Sequence, residues 1–153
     1  MTGRVHRLRR FARDDHGSAS IETAVSLTVA ISLAFWLFEL SSYAYTYAVL
    51  DDAVHEGVRY AISHGSDSSN CSGPTTGCGD SSGANVTAVV TTIAKNSMHN
   101  MSGLTVTVNW PDASGCKPGA LVTVSATYPY VAFFTSLGFG RTAQASAEGR
   151  IVF

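Results

Sequence analysis

The sequence predicts an α+β fold with a long N-terminal helix, a second, shorter helix and a three-stranded antiparallel sheet. Three observations support this prediction. An apolar run begins at Thr23 and, with one interruption, reaches Leu50. An amphipathic segment with apolar residues at steps of three and four follows the run, and from Leu104 onward the apolar period changes to two. The 153 residues allow one small core of roughly 100 residues outside the apolar run.

The first element is long enough to cross a membrane as a helix. No charged residue occurs from Thr23 to Phe38, and after Glu39 the apolar run continues to Leu50. The segment between the two glutamates measures about 24 Å as a helix, whereas the whole stretch exceeds the ~30 Å hydrocarbon core. A carboxylate at mid-bilayer costs about 2.5 to 3.5 kcal/mol, so we expect Glu22 and Glu39 to lie near the two membrane boundaries.

Charge is distributed unevenly on the two sides of this segment. Residues 1–17 carry five arginines and two aspartates, whereas the rest of the chain carries five basic and nine acidic residues. The excess of arginine predicts a cytoplasmic N-terminus and an exported C-terminal part in a single-pass protein of the cytoplasmic membrane. Because the exported part has no basic excess, we expect no nucleic-acid partner.

The first helix is predicted to continue beyond the apolar run and to end at Ser63. Neither proline nor a glycine pair interrupts the chain from Ile21 to Ser63, and Gly65 follows as a helix stop. Glu56 and Arg59 are three residues apart on the polar face, where they can form a solvated ion pair. A contact with another subunit is the alternative role for this pair.

The loop after the first helix contains two of the three cysteines. Cys71 and Cys78 enclose six residues, a spacing unlike that of zinc-binding pairs, and no histidine cluster accompanies them, so neither a metal nor another cofactor is expected. In an exported domain, three cysteines predict one disulfide and one free thiol. Cys71 can pair with Cys78, or Cys78 with Cys116, and the sequence does not distinguish these possibilities.

The remaining predicted elements form the rest of the head. They are a helix over Ala84–Asn100 and strands over Leu104–Trp110, Ala120–Tyr128 and Arg141–Phe153, with Pro129 interrupting the second strand. The first helix is expected to cover the apolar face of this sheet.

Two groups of apolar residues each have two interpretations. Tyr43, Tyr45 and Tyr47 suit the outer membrane boundary, but they can also pack against neighbouring helices. The connector Val131–Phe139 is strongly apolar. It either fills the core under the sheet or forms a surface that meets the bilayer or another subunit.

The sequence contains none of the common catalytic motifs. It contains no nucleophile elbow, zinc-protease motif, phosphate loop or dinucleotide fingerprint, and its five histidines have no metal-ligand spacing. We read the histidines as isolated surface residues, and no enzymatic activity is predicted.

The start of the apolar run resembles the site at which prepilin peptidases cleave their substrates. Gly17 follows the basic segment, and four small or neutral residues separate it from Glu22. The resemblance implies cleavage after Gly17, with Ser18 as the first mature residue. It also implies that the free amino terminus of a neighbouring subunit pairs with the Glu22 carboxylate, which makes Glu22 an assembly residue.

The sequence that follows is similar to the TadE-like minor pseudopilins of the tight-adherence (type IVc) pilus system. The similarity is carried by Glu39, by a block comprising Glu56, Gly57, Arg59 and Tyr60, and by the C-terminal stretch from Leu121. It implies a pilin-like fold with a leader at residues 1–17, a transmembrane and assembly helix at 18–50 and an extracytoplasmic head at 51–153. The implied partners are a prepilin peptidase, other pilins and pseudopilins, the inner-membrane assembly platform and membrane lipid.

Two alternatives to processing by a prepilin peptidase are open at this point. The chain can be an uncleaved, single-pass membrane anchor that carries an extracytoplasmic binding or sensor domain. It can also carry an ordinary secretory signal, because Ser42 and Ala44 have the spacing that signal peptidase reads.

Overall fold

The computed structural model describes residues 15–98, 100–133 and 141–152. The elements follow in the order helix α1 (Asp15–Ser63), helix α2 (Ala84–Ser97), strand β1 (Thr105–Asn109), strand β2 (Leu121–Tyr130) and strand β3 (Arg141–Arg150). The predicted α+β class is confirmed. The chain divides into two compact units, Met1–Leu40 and Ser41–Phe153, and the second unit, here called the head, contains α2 and the sheet. The arginines predicted as a basic leader lie outside the described residues.

Helix α1 covers more of the chain than the sequence predicted. It includes Asp15–Ser20, six residues before the predicted start at Ile21. A single glycine costs only about 1 kcal/mol in a helix and no proline follows it, so Gly17 does not break the helix. The other end of α1 is at Ser63, as predicted from Gly65.

Helix α2 is three residues shorter than predicted, because it ends at Ser97 and not at Asn100. Met98 has extended backbone angles, φ −107° and ψ 134°, although its N–H still donates to the Ala94 carbonyl. The inner face of α2 is formed by Val86, Val90 and Ala94, which are fully buried at spacings of four residues.

Strand β2 is the centre of the predicted antiparallel sheet. It pairs with β1 from Thr105↔Thr127 to Asn109↔Thr123, and with β3 from Leu121↔Arg150 to Tyr130↔Arg141. Alternate side chains of β2 are buried, namely Val122, Val124, Ala126 and Tyr128. The residues between them are half-buried or exposed, so one face of the sheet points into the core.

Pro129 does not interrupt β2 as the sequence suggested, because the strand continues through it to Tyr130. The N–H of Leu121 points away from β3 and donates to Asp112 Oδ2. Residue 129 is an even number of positions further along β2, and alternate residues of a strand direct their backbone nitrogens to the same side. Its nitrogen therefore points to the side where β1 would lie. Since β1 reaches only as far as Thr127, the missing N–H removes no ladder hydrogen bond.

Strand β3 ends at Arg150, earlier than the predicted end at Phe153, which itself lies outside the described residues. The next two residues leave the ladder but keep backbone hydrogen bonds. Ile151 N–H donates to the Ala120 carbonyl, and Val152 N–H donates to the Ile62 carbonyl at 2.9 Å. The chain after β3 is therefore attached to the end of α1.

The core of the head lies between the second half of α1, α2 and the sheet. Leu50, Ala53, Val54, Val58 and Ala61 of α1 belong to the same buried cluster as the inward residues of β2. A Cβ atom at Gly149 of β3 would lie 2.6 Å from Val58 Cγ1, so strand and helix are in direct contact there. The predicted covering of the sheet by α1 is thereby confirmed.

Candidate functional site

The N-terminal part of α1 presents a continuous exposed apolar surface. Every side chain from Gly17 to Phe38 is exposed, including Ile21 (67%) and Leu33 (61%). By length and composition, α1 can cross a membrane. A surface of this size is unfavourable in water, so it requires lipid or other apolar helices as its surroundings.

Hydroxyl groups within this surface are satisfied by the helix itself. Thr23 donates to the Ala19 carbonyl at 2.9 Å, Thr28 to Ala24 at 2.8 Å, and Ser32 to Thr28 at 2.7 Å. A polar group in hydrocarbon must find its hydrogen bond within the protein. These three residues are therefore compatible with an apolar environment despite their polarity.

Glu22 is the acidic residue inside this surface. Its side chain is exposed, and no hydrogen bond or ion pair to its carboxylate is formed within the part of the chain that the structure describes. Gly17 and Ser18 lie on the preceding turns of the same helix. A Cβ atom at Gly17 would meet no heavy atom within 4 Å, so nothing in the chain's own packing requires glycine there.

Glu39 lies at the opposite end of the apolar run. It is half-buried, in contrast to Glu22, and it directly precedes the head, which begins at Ser41. The two carboxylates therefore occupy different surroundings although both border the same apolar segment.

Glu56 and Arg59 form the ion pair that their spacing predicted. Arg59 Nη1 lies 3.2 Å from Glu56 Oε1, and the two side chains are 77% and 42% exposed, respectively. An exposed pair of this kind contributes about 0.2 to 0.5 kcal/mol. The predicted ion pair on the exposed face of the single chain is confirmed.

Gly57, the next residue of the same block, is buried where α1 meets α2. A Cβ atom added there would overlap with Val90 Cγ2 of α2 and would lie 3.5 Å from Val124 Cγ1 of β2. The absence of a side chain at this position therefore allows α1 to approach α2 and the sheet closely.

Tyr60 completes the block and contacts a histidine that the sequence suggested was isolated. Its ring stacks on the His64 ring with a centroid distance of 3.9 Å and an interplanar angle of 12°. His64 is half-buried, and its Nδ1 lies 2.9 Å from both the Ser63 hydroxyl and the Tyr60 carbonyl. The prediction of an isolated surface histidine was wrong at this position.

The three cysteines lie together in the structure. Cys71 and Cys78 form the disulfide, and Cys116 is a buried free thiol, so the prediction of one bridge and one thiol is confirmed. Cys116 Sγ lies 3.7 Å from Cys78 Sγ and 2.9 Å from the Thr75 hydroxyl. The structure therefore selects one of the two pairings and places the third sulfur beside it.

Asp80 is a structurally important residue that the sequence analysis missed. Its carboxylate accepts hydrogen bonds from Ser72 Oγ (2.6 Å), Ser82 Oγ (3.1 Å), and the backbone N–H groups of Ala84 (2.9 Å) and Asn85 (2.8 Å). The N-cap residue of α2 is a glycine without a side chain, so Asp80 supplies the cap from three residues upstream. The signal was an aspartate shortly before a predicted helix start.

Hydrogen bonding changes the acidity of this carboxylate. Burial by itself raises the pKa of Asp80, but the bonds from Ser72, from the N–H groups of Asn85 and Ala84, and from Ser82 outweigh burial and hold the pKa far below its usual value. The side chain is therefore ionised at neutral pH, and its charge is compatible with the N-terminus of α2.

An open polar cleft of about 730 Å³ lies beside this cap. Its lining includes Tyr60, Asn70, Cys71, Asp80 and Asn85. Among residues 15–98, 100–133 and 141–152, no group of three His, Cys, Asp or Glu side chains is placed to hold a metal ion. Because the chain itself uses the Asp80 carboxylate as a cap, we assign no chemistry to the cleft.

The apolar connector after β2 exposes its two large described side chains. Val131 is 67% exposed and Phe133 is 78% exposed, whereas Ala132 between them is buried. The rest of the predicted connector, to Phe139, lies outside the described residues. For Val131 and Phe133, the structure favours a surface position over filling of the core.

Comparison with known proteins identifies the N-terminal part of the chain. Residues 17–59 match the family described as TadE-like protein. The match covers a little more than a quarter of the chain and includes the apolar surface of α1, Glu22, Glu39 and the Glu56–Arg59 pair. The resemblance expected from the sequence is confirmed over this segment. The matched family is one of pilus components. No curated protein and no solved structure matches the chain.

Proposed function

We propose that this protein is a minor pseudopilin of a tight-adherence (type IVc) pilus assembly or secretion system. A prepilin peptidase cleaves it after Gly17, and the mature protein assembles through its N-terminal helix. One observation carries the proposal: within the segment that matches the TadE-like family, residues 17–38 present an exposed apolar surface with a single carboxylate, Glu22, near its start.

Cleavage and assembly are connected through the charge at Ser18. Removal of residues 1–17 converts the Ser18 amide into a positively charged amino group. A carboxylate transferred from water into an apolar helical bundle requires such a positive partner. In this proposal, Glu22 of one subunit pairs with the Ser18 amino group of its neighbour, and Glu39 remains near the opposite boundary of the membrane.

The remaining parts of the chain follow the same scheme. Residues 18–50 form the transmembrane and assembly helix, and residues 51–153, which make up most of the head, form the domain outside the cytoplasmic membrane. The partners are the prepilin peptidase, other pilins and pseudopilins, the assembly platform of the inner membrane, and membrane lipid. A structural and assembly role needs no cofactor, and none is proposed.

An uncleaved membrane anchor that carries a binding or sensor domain is the second candidate. The observation in its favour is the open polar cleft of about 730 Å³ in the head. In that case, the basic segment at residues 1–17 would be retained and the head would act without assembling.

The intact mass of the protein extracted from membranes distinguishes the two candidates. We expect the mass of a chain that begins at Ser18, and we expect the full-length mass when the peptidase is absent. Full-length protein in the presence of an active prepilin peptidase would contradict the proposed processing and favour the uncleaved anchor.

A further inference from the structure

A ring contact attaches the end of β2 to the start of the head on α1. The rings of Tyr43 and Tyr130 lie edge to face, with centroids 5.4 Å apart and planes at 86°. Tyr130 is the last residue of β2, so the chain leaves the sheet at this contact. The next residues include Val131, 67% exposed, and Phe133, 78% exposed, which we call the apolar tip. Phe133 is the most exposed of the large apolar side chains in the described part of the chain.

The position of Tyr43 along α1 locates the apolar tip. Tyr43 follows Glu39, the carboxylate expected near the outer membrane boundary, by about one helical turn. A second contact ties α2 to the same part of α1, because the Tyr45 hydroxyl lies 3.4 Å from the Ser97 carbonyl. The apolar tip therefore belongs to the end of the head that includes Tyr43 and Tyr45, the part of the head that follows Glu39 along α1.

Exposed cationic residues belong to the same end of the head. Lys95 lies in the last turn of α2, two residues before Ser97, and Arg141 is the register partner of Tyr130. The carboxylates of Asp112 and Glu148 lie at the other end of the sheet, where they accept hydrogen bonds from Leu121 N–H and from the Thr123 hydroxyl. Exposed aromatic and apolar side chains together with lysine and arginine are typical of surfaces that meet lipid headgroups, because the cations attract anionic lipids.

We propose that the apolar tip is a lipid-contacting surface that places the head against the headgroup region of the membrane from which α1 emerges. This inference rests on the membrane anchoring in the proposed function. It adds to that function a second, peripheral attachment of the head, made by the chain immediately after β2. A surface that contacts lipid in the membrane-inserted subunit has to leave the bilayer when the subunit is extracted for assembly.

Photo-crosslinking of the full chain in lipid vesicles tests this inference. The variant Phe133→p-benzoylphenylalanine is reconstituted at low protein density into vesicles of phosphatidylethanolamine and phosphatidylglycerol that carry a taggable acyl chain. Val152→p-benzoylphenylalanine is the matched control. Val152 is also exposed (58%), but its backbone N–H donates a hydrogen bond to the Ile62 carbonyl. Ile62 lies nineteen residues after Tyr43 on α1, which is about 28 Å along the helix axis. Leu33→p-benzoylphenylalanine reports whether the apolar segment is in the bilayer.

We expect lipid adducts at residue 33 and at residue 133, and several-fold fewer at residue 152. The inference is overturned if residue 33 forms lipid adducts while residue 133 forms no more of them than residue 152, or forms mainly protein adducts. Failure of residue 33 to form lipid adducts would overturn both the anchoring and the inference. A second probe, Val131→p-benzoylphenylalanine, must repeat the result of residue 133, and circular dichroism must show a native fold for each variant.

Discussion

Gly57 of α1 lies so close to Val90 of α2 that a methyl group at position 57 would overlap with the Val90 side chain. The same residue belongs to the segment that matches the TadE-like family. Its role in the structure is to let two helices and the central strand meet at one point, which is a packing role within the head.

The substitution Gly57→Ala is therefore expected to destabilise the head. Alanine gains about 1 kcal/mol of helix propensity over glycine, but overpacking a rigid contact costs about 1 to 3 kcal/mol. We expect a net loss of up to about 2 kcal/mol in the free energy of unfolding, measured by chemical denaturation of the full chain in detergent. The double variant Gly57→Ala, Val90→Ala is the control, because the smaller partner makes room for the new methyl group. If the double variant loses as much free energy of unfolding as the two single variants lose together, or more, the overlap is not the cause.

The second prediction concerns the Asp80 cap of α2. Asp80→Asn keeps the shape of the side chain but removes its charge and part of its accepting capacity. We expect a loss of about 1 to 2 kcal/mol in the free energy of unfolding at neutral pH. The exposed Asp52→Asn is the matched control and should change stability by less than about 0.5 kcal/mol.

The pH dependence of the same variant follows from linkage. The pKa of Asp80 is lower in the folded protein than in the unfolded chain, so the ionised form stabilises the fold. This contribution is complete above the unfolded pKa, about 3.9, and it is lost as the pH falls toward the folded value. The stability difference between the wild type and Asp80→Asn should therefore shrink below about pH 4. A difference that grows on acidification would contradict the assigned role.

The third prediction concerns the cysteines. In Cys71→Ser, the thiol of Cys78 loses its partner but still lies 3.7 Å from Cys116 Sγ. We expect oxidation of this variant to form a Cys78–Cys116 disulfide, which peptide mapping under non-reducing conditions detects. In the control Cys116→Ser, the Cys71–Cys78 disulfide should form as in the wild type. Two free thiols in oxidised, folded Cys71→Ser would show that the neighbouring sulfurs cannot reach bonding geometry.

The fourth prediction separates processing from assembly. A methyl group at Gly17 meets nothing within 4 Å, so Gly17→Ala should leave the helix intact and slow cleavage. Glu22→Gln, which is nearly isosteric, should leave cleavage unchanged and reduce incorporation into the pilus fraction by about tenfold or more, because the proposed pairing with the Ser18 amino group of a neighbour requires a charged carboxylate. Intact mass reports cleavage, and the amount of protein in sheared pili reports incorporation. Normal incorporation of Glu22→Gln would remove the charge-pairing argument.

Local patterns in the sequence predicted most of the secondary structure. The apolar run and the apolar residues at steps of three and four predicted that α1 extends to Ser63. The apolar period of two predicted three strands in the observed order. The errors lie at element ends, with the largest at Asp15, Ser97 and Arg150, and at Pro129. Proline was tolerated because β1 does not extend alongside it, which depends on the length of a neighbouring strand and cannot be read from the residues around position 129.

Periodicity and charge are local properties of the chain, and they were enough to predict which segments become helix or strand and which surface of α1 is apolar. The folded head was needed to show which cysteines pair, why position 57 is glycine, and that Asp80 caps α2 from outside the helix. Each of these depends on distances between residues that are far apart in the chain or on different elements. Such distances are set by the packing of α1 and α2 on the sheet, and only the folded head contains them.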